Sequence, residues 1–158
     1  SVPLWQTLFN LFRSGPMTDV SVVIPVKDER PNVRPLVDRL RAALDPGPDW
    51  EAVVVDDGST DGTFAELTRL AAADGRLRVV RLRRNFGQSA ALQAGFDHAA
   101  GAVVVTLDGD LQNDPADIPA LLARLDDGFD VVLGLRADRK DGFLLRKLPS
   151  RAGNWLIR

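Results

Sequence analysis

The sequence predicts an α/β fold in which a mainly parallel sheet is flanked by helices. Strand-like and helix-like segments alternate along the chain, five of each, and this alternation favours parallel strands joined by helices. Polar clusters follow the successive strand-like segments. Because ligands of such folds bind outside the carboxyl ends of the strands, we expect one binding site at one edge of the sheet.

Five short segments are predicted to be strands, and a run of β-branched residues in one of them is typical of a strand buried on both faces of a parallel sheet. The clearest is VSVVIPV, at the start of the predicted domain. The five runs are Val20–Val26, Glu51–Asp57, Arg76–Leu82, Ala102–Asp108 and Phe129–Arg136.

A helix is predicted after each strand. Apolar residues recur at helical spacing in the first, RPNVRPLVDRLRAAL, over residues 30–44. Thr60 or Asp61 can cap the second helix. The third follows NFGQS, the fourth begins near Pro115, and a basic fifth is predicted over Leu144–Ile157.

The composition indicates one globular domain and excludes several kinds of site. The 158 residues include no cysteine and one histidine, so a disulfide framework, a thiolate metal site and a multi-histidine zinc site are excluded. His98 is interpreted as a packing or helix-surface residue. A bound metal should therefore have oxygen ligands, as Mg²⁺ or Mn²⁺ prefers.

Fingerprints of three other enzyme classes are missing from the sequence. There is no Gly-x-Gly-x-x-Gly after the first strand, no Gly-x-x-x-x-Gly-Lys-Ser/Thr and no Gly-x-Ser-x-Gly. Dinucleotide dehydrogenases, P-loop enzymes and α/β-hydrolases are therefore disfavoured.

The two ends of the chain differ from its body. From Arg136 onwards, seven Lys and Arg stand against two Asp; such a basic surface could face a phosphate, an anionic membrane or nucleic acid, or be an ordinary solvated helix face. Residues 1–16 form a short amphipathic stripe before Met17. They are interpreted as a non-native leader, with an interfacial docking helix as the alternative.

The segment TLDGDLQND places several carboxylates after the fourth strand. Asp108 and Asp110 are one residue apart, and Gly109 allows a tight turn between them. A divalent cation would remove the repulsion between the two carboxylates, and Gln112 offers an amide oxygen nearby. Asp114 is expected to be a helix cap.

Other strand ends carry further candidate residues. Asp56 and Asp57 end the second strand and could accept hydrogen bonds from a nucleobase or a ribose, whereas Asp61 is expected to be structural. Glu29 follows the first strand. Arg136 ends the fifth, and its guanidinium is suited to phosphate.

Four segments together resemble the family 2 glycosyltransferases with a GT-A fold: VVIPVKDERPNV, VVVDDGSTDGT, RNFGQSAALQAGFDHAAG and VVVTLDGDLQNDPADIP. Within that family they look most like the polyprenyl-phosphate glycosyltransferases. The resemblance implies that residues 17–158 form a GT-A (Rossmann-like) domain. It also implies a Mg²⁺- or Mn²⁺-dependent, inverting transfer of a sugar from a UDP- or GDP-linked donor to a polyprenyl phosphate, at the cytoplasmic face of the membrane and without nucleic acid.

The resemblance gives the first two loops a role in donor binding. Pro25, Lys27 and Glu29 match the first nucleotide-contacting loop, although Lys27 stands where an aromatic residue is often found. Asp56 and Asp57 match the acidic pair that binds base and ribose.

The resemblance assigns the catalytic centre to the later loops. Asp108, Gly109 and Asp110 match the Asp-x-Asp motif that binds nucleotide and metal, and Gln112 matches its metal-linked glutamine. Arg136 matches a basic residue near the phosphates. With Asp108, Asp110 and the metal, it would stabilise the charge of the leaving diphosphate, and the acceptor phosphate, already anionic, would not require a strong general base.

Relatives of this kind continue beyond the segment SRAGNWLIR, so we expect this chain to be the donor-binding part of a longer enzyme. Two alternatives stay open: a family 2 transferase acting on a polysaccharide or another soluble acceptor, and a non-catalytic nucleotide-binding or assembly module. Exposed apolar surface leaves self-association into a homo-oligomer open as well.

Overall fold

The computed structural model describes residues 18–134. The elements of this part are β1 (Val20–Val26), α1 (Arg30–Leu44), β2 (Trp50–Asp56), α2 (Thr63–Ala73), β3 (Leu77–Arg81), α3 (Gln88–His98), β4 (Val103–Thr106), a 3₁₀ turn (Pro115–Asp117) and α4 (Ile118–Asp126). The four predicted strands and four predicted helices up to Asp126 are therefore present, with ends that shift by one or a few residues.

The four strands form one parallel sheet in the order β3-β2-β1-β4. Val20 of β1 lies opposite Trp50 of β2 and Val103 of β4. Because all four strands run in the same direction, their carboxyl ends meet at one edge of the sheet, as the sequence predicts.

Helices cover both faces of the sheet, and alternate residues of β1 point to opposite faces. Val22 and Ile24 pack in the larger core cluster, with the apolar stripe of α1 that includes Leu36 and Leu40. Val23 packs in a second cluster against α3. The largely apolar sequence of β1 is thus explained, since both of its faces are buried.

Short polar residues begin two of the helical segments. Asp114 caps the 3₁₀ turn, where its Oδ1 accepts a hydrogen bond from the N–H of Ala116 at 3.1 Å, and this confirms the predicted cap. Gly62 is the N-cap residue of α2, but Asp61 supplies the hydrogen bond by accepting from the N–H of Thr63 at 2.9 Å. Asp61 is therefore structural, as predicted.

The prediction of a fifth strand over Phe129–Arg136 is wrong for its described part, residues 129–134. Three apolar side chains there are largely exposed: Phe129 at 58%, Val131 at 71% and Leu133 at 81%. A strand needs a hydrogen-bonded neighbour and a surface for its apolar side chains. Residues 129–134 pair with no strand of the described part, although β4 is at the edge of the sheet, and their apolar side chains stay exposed.

Three further predictions fall outside the described residues: the leader or amphipathic helix over residues 1–16, Arg136 as a phosphate ligand, and the basic helix over Leu144–Ile157. Within residues 18–134, no helix is both long enough and apolar enough to cross a membrane.

Candidate active site

An open cleft of about 470 Å³ lies at the carboxyl edge of the sheet. It collects residues from the loops after all four strands, together with the first turns of α3. The residues that line it are Pro25, Val26, Lys27, Glu29, Asp57, Asn85, Gly87, Gln88, Ala91, Asp108, Gly109 and Asp110.

Most of the residues predicted to bind the donor or the metal line this cleft. Seven do so: Pro25, Lys27, Glu29, Asp57, Asp108, Gly109 and Asp110. Asp56 and Gln112 are not among the lining residues of the described part, and Arg136 lies outside it.

The loop after β1 is fastened to the loop after β2 by Asp28. Its backbone lies in the left-handed region, at φ 54°, and its Oδ1 accepts a hydrogen bond from the N–H of Thr60 at 2.7 Å. The Nζ of Lys27 donates to its Oδ2 at 2.7 Å. The Lys27 hydrogen bond, followed by that of Thr60, lowers the pKa of Asp28 to about 2, and Asp28 in turn raises the pKa of Lys27.

Glu29 lies at the rim of the cleft, where a second pair of contacts joins the same two loops. The N–H of Glu29 donates to Oγ1 of Thr63 at 2.9 Å, and the N–H of Arg30 donates to Oδ2 of Asp61 at 3.1 Å. The Glu29 carboxylate accepts from the amide of Asn32 at 2.6 Å. The first two loops therefore form one hydrogen-bonded unit.

Asp57 joins the loop after β2 to the loop after β3. Its Oδ1 accepts the N–H of Phe86 at 2.7 Å, and its Oδ2 accepts the N–H of Gly87 at 2.9 Å. Gly58 lets the loops after β2 and β3 approach each other closely. It has φ 68°, and a Cβ there would lie 2.5 Å from the carbonyl carbon of Arg84. Asp57 thus holds a loop as well as lining the cleft.

Asp56 is fully buried beneath this edge. Its Oδ1 accepts the N–H of Ser59 at 3.1 Å, while its Oδ2 has no hydrogen-bond partner within residues 18–134. The Nε of Arg81, 3.7 Å from Oδ2, is too far for a hydrogen bond but close enough to offset the charge. The acidic pair is therefore split into a buried member and a member that faces the cleft.

Two side-chain amides orient the Asp108 carboxylate. The Nε2 of Gln88 lies 3.2 Å from its Oδ1, and the Nδ2 of Asn113 lies 3.1 Å from its Oδ2. Asp110 is exposed, and its Oδ1 accepts the N–H of Gln112 at 3.0 Å. One carboxylate is thus fixed and the other faces solvent.

Gly109 allows the segment Asp108–Asp110, which we call the acidic turn, to approach β1. A Cβ on Gly109 would lie 2.5 Å from Cγ1 of Val26 and 3.3 Å from the carbonyl oxygen of Pro25. Only a glycine lets the acidic turn pass so close to the end of β1, which brings Asp108 and Asp110 into the cleft.

The acidic turn fits a divalent cation that shares its ligands with a substrate. Among residues 18–134, no three His, Cys, Asp or Glu side chains converge to form a cage for a metal ion. Mg²⁺ commonly takes one or two carboxylates and completes its octahedron with water and substrate phosphates. Asp108 and Asp110 match that donor set.

Sequence reasoning assigned no role to Asn85, Gly87 and Gln88, which also line the cleft. The signal that could have found them is their position, because RRNFGQ is the polar cluster that follows β3. Gly87, with φ 93°, precedes the first residue of α3. The start of this helix therefore adjoins the carboxylates of the cleft.

An open parallel sheet with an acidic cleft at its carboxyl edge defines an α/β protein that binds its ligand outside the strand ends. The chain belongs to glycosyl transferase family 2, whose family model matches residues 21–158. This agrees with the family that the four sequence segments resemble.

Two curated relatives carry a polyprenyl phosphate in their names. Dodecaprenyl-phosphate galacturonate synthase of Rhizobium johnstonii is 48% identical over 142 residues, which cover 88% of this chain and 42% of the relative. Undecaprenyl-phosphate 4-deoxy-4-formamido-L-arabinose transferase of Salmonella paratyphi A is 45% identical over 150 residues, 93% of this chain and 45% of the relative. The chain thus spans less than half the length of these relatives.

A solved structure supports the GT-A fold. The mannosyltransferase PcManGT of Pyrobaculum calidifontis, in complex with GDP-Man and Mn²⁺, matches with a TM-score of 0.56 and 28% identity. The match covers 73% of this chain and 36% of that one.

Proposed function

We propose that this chain is the donor-binding part of a metal-dependent, inverting glycosyltransferase that moves a sugar from a nucleotide diphosphate sugar to a polyprenyl phosphate. The observation that carries the proposal is the cleft, in which Asp57, Asp108 and Asp110 come together at the carboxyl edge of the sheet. Family membership supplies the reaction class.

Asp108 and Asp110 would hold a Mg²⁺ or Mn²⁺ ion together with the donor diphosphate. The bound ion would offset the negative charge that the diphosphate gains as the sugar leaves. Asp108, fixed by two amides, would keep its place while the exposed Asp110 adjusts to the ligand. Gln112 and Arg136 are further proposed ligands, to the metal and to the phosphates respectively.

The nucleoside would bind near the first two loops. Pro25, Lys27 and Glu29 line that side of the cleft, and Asp57 lines it from β2. Lys27 adds a cation to this largely acidic lining, which suits an anionic ligand. The buried Asp56 would support the loop after β2 by accepting a hydrogen bond from the N–H of Ser59.

The acceptor is proposed to be a polyprenyl phosphate because two relatives at 45% and 48% identity are both named for such acceptors. The site of action would then be the cytoplasmic face of a membrane. A soluble acceptor remains the alternative.

Calorimetric titration of the chain with UDP- and GDP-sugars, with and without Mn²⁺, tests donor binding. We expect one of the two nucleotides to bind at least tenfold more tightly when Mn²⁺ is present. Asp110→Asn should remove this dependence on metal, because the exposed carboxylate is the group that meets the ion. The absence of any metal-dependent nucleotide binding by the unaltered chain would overturn the proposal.

Asp126→Asn is the matched control, since it removes one exposed carboxylate at the end of α4, outside the cleft. It should bind the nucleotide and Mn²⁺ as the unaltered chain does. Metal dependence that persists in Asp110→Asn would show that another carboxylate holds the ion.

A further inference from the structure

Two consecutive arginines beside the cleft are in no ion pair within residues 18–134. The described part holds twelve Lys and Arg against twenty Asp and Glu, and eight of these cations are ion-paired. The four exceptions in this part are Arg30, Arg39, Arg83 and Arg84. Because acidic residues outnumber basic ones in this part of the chain, two adjacent arginines without an ion pair are unexpected.

An exposed phenylalanine lies in the same segment. The ring of Phe86 is 53% exposed, and the guanidinium of Arg84 lies over it, 4.9 Å from the ring centre. We call residues 83–86 the Arg–Phe loop; all four of its residues are exposed. It combines cationic and aromatic groups on one short segment.

The backbone of the Arg–Phe loop is fixed by buried contacts. The N–H of Phe86 donates to Asp57, whose exposed fraction is 4%, and the backbone of Arg84 is in close contact with Gly58. The fold therefore holds Phe86 in solvent although burial of a phenylalanine ring is favourable. Asn85 of the loop lines the cleft, so the exposed ring and the two arginines lie next to the candidate site.

We propose that the Arg–Phe loop is a contact surface for an anionic lipid bilayer. Unpaired arginines attract the negative charge of lipid head groups, and an aromatic ring beside them can enter the boundary between head groups and acyl chains. This inference rests on the proposed function, because an acceptor that carries a polyprenyl chain lies in a membrane and must meet the cleft there. A bilayer contact at the rim would hold the cleft against the surface from which the acceptor phosphate emerges.

Cosedimentation of the full chain with lipid vesicles tests this surface. The unaltered chain should bind vesicles of phosphatidylcholine and phosphatidylglycerol more tightly than vesicles of phosphatidylcholine alone. Arg83→Ala/Arg84→Ala should weaken binding to the anionic vesicles about 10- to 30-fold, since each cation near such a surface contributes roughly fivefold. Phe86→Ser should weaken it several-fold and leave its dependence on salt unchanged.

Matched controls separate the loop from general charge and hydrophobicity. Arg34→Ala/Arg39→Ala removes the same charge from exposed positions of α1, on the face of the sheet opposite α3; Arg39 is in no ion pair within residues 18–134, and Arg34 is paired with Glu66. Phe129→Ser removes a comparably exposed ring, 58% accessible, beyond α4. Both controls should bind anionic vesicles within twofold of the unaltered chain.

Three outcomes would overturn the inference: no preference of the unaltered chain for anionic vesicles, full binding by Arg83→Ala/Arg84→Ala, or an equal loss in the α1 control. Binding of a single-stranded oligonucleotide with the same dependence on Arg83 and Arg84, without vesicle binding, would also overturn it, in favour of nucleic acid. Titration of the loop variants with nucleotide distinguishes failure of the proposed glycosyltransferase function from failure of the proposed bilayer contact. Loss of vesicle binding with intact donor binding supports both, whereas vesicle binding by a chain that binds no nucleotide overturns only the proposed function.

Discussion

The side-chain amide of Gln88 donates a hydrogen bond to the carboxylate of Asp108 across 3.2 Å. The two residues are twenty positions apart in the chain, at the start of α3 and after β4. The contact joins the third and fourth loops of the cleft. It also fixes one oxygen of a carboxylate that we propose as a metal ligand.

Gln88→Leu should therefore weaken metal-dependent nucleotide binding about tenfold while leaving the stability of the fold almost unchanged. Leucine keeps much of the volume of glutamine but cannot donate to Asp108, so the carboxylate would lose one of its two orienting amides. Calorimetric titration with Mn²⁺ and the preferred nucleotide measures the first effect, and thermal unfolding measures the second.

Gln93→Leu is the control for this variant. Gln93 lies on the same helix and also donates to a carboxylate, that of Asp97 at 2.8 Å, but both residues are exposed and outside the cleft. It should bind nucleotide normally. Equal binding by both variants would mean that Gln88 does not position Asp108.

Gly109→Ala should destabilise the fold by about 1–3 kcal/mol, the usual cost of forcing extra volume into a packed site. The added Cβ would lie 2.5 Å from Cγ1 of Val26, so the acidic turn or the end of β1 must move. We expect nucleotide binding to weaken as well, because that movement displaces Asp108 and Asp110. Urea unfolding and calorimetric titration measure the two effects.

Gly75→Ala provides the comparison, since a Cβ there meets nothing within 4 Å. It should leave nucleotide binding intact and stabilise the fold slightly, by up to about 1 kcal/mol, through the unfolded chain. If Gly109→Ala is as stable as Gly75→Ala in urea, the fold tolerates a Cβ at position 109, and the close approach of the acidic turn to β1 does not require a glycine.

The parallel sheet could be predicted because its physical requirement is local in sequence. A strand buried on both faces needs a largely apolar run, and Val20–Val26, with Ser21 as its one polar residue, provides one. Strand pairing is different, because it depends on what lies alongside. The run FDVVLGLR is also rich in apolar residues, although Asp130 and Gly134 interrupt it. Its described residues nevertheless form no strand and leave Val131 and Leu133 exposed.

The edge of the sheet that holds the site could also be predicted, since each acidic cluster follows a strand. The different roles of neighbouring residues within one acidic cluster could not be predicted. Asp56 and Asp57 are adjacent in sequence, but the first is buried, with Arg81 3.7 Å from its Oδ2, while the second accepts hydrogen bonds from two backbone N–H groups of another loop. Gln88 was missed for the same reason, because its contact with Asp108 exists only once α3 and β4 lie side by side.

The low pKa of Asp28, about 2, predicts a change in stability with pH. A depressed carboxyl pKa contributes stability that is fully present above the ordinary value near 3.8 and is lost as the pH falls through 2. The unaltered chain should therefore be more stable than Asp28→Asn at pH 6, and the difference should shrink between pH 4 and pH 2 as the carboxylate loses its charge beside Lys27. Urea unfolding across this pH range measures the difference, and carboxyl NMR of Asp28 gives its pKa directly. A pKa near 3.8, or a difference that stays constant down to pH 2, would show that Asp28 does not tie the first loop to the second in solution.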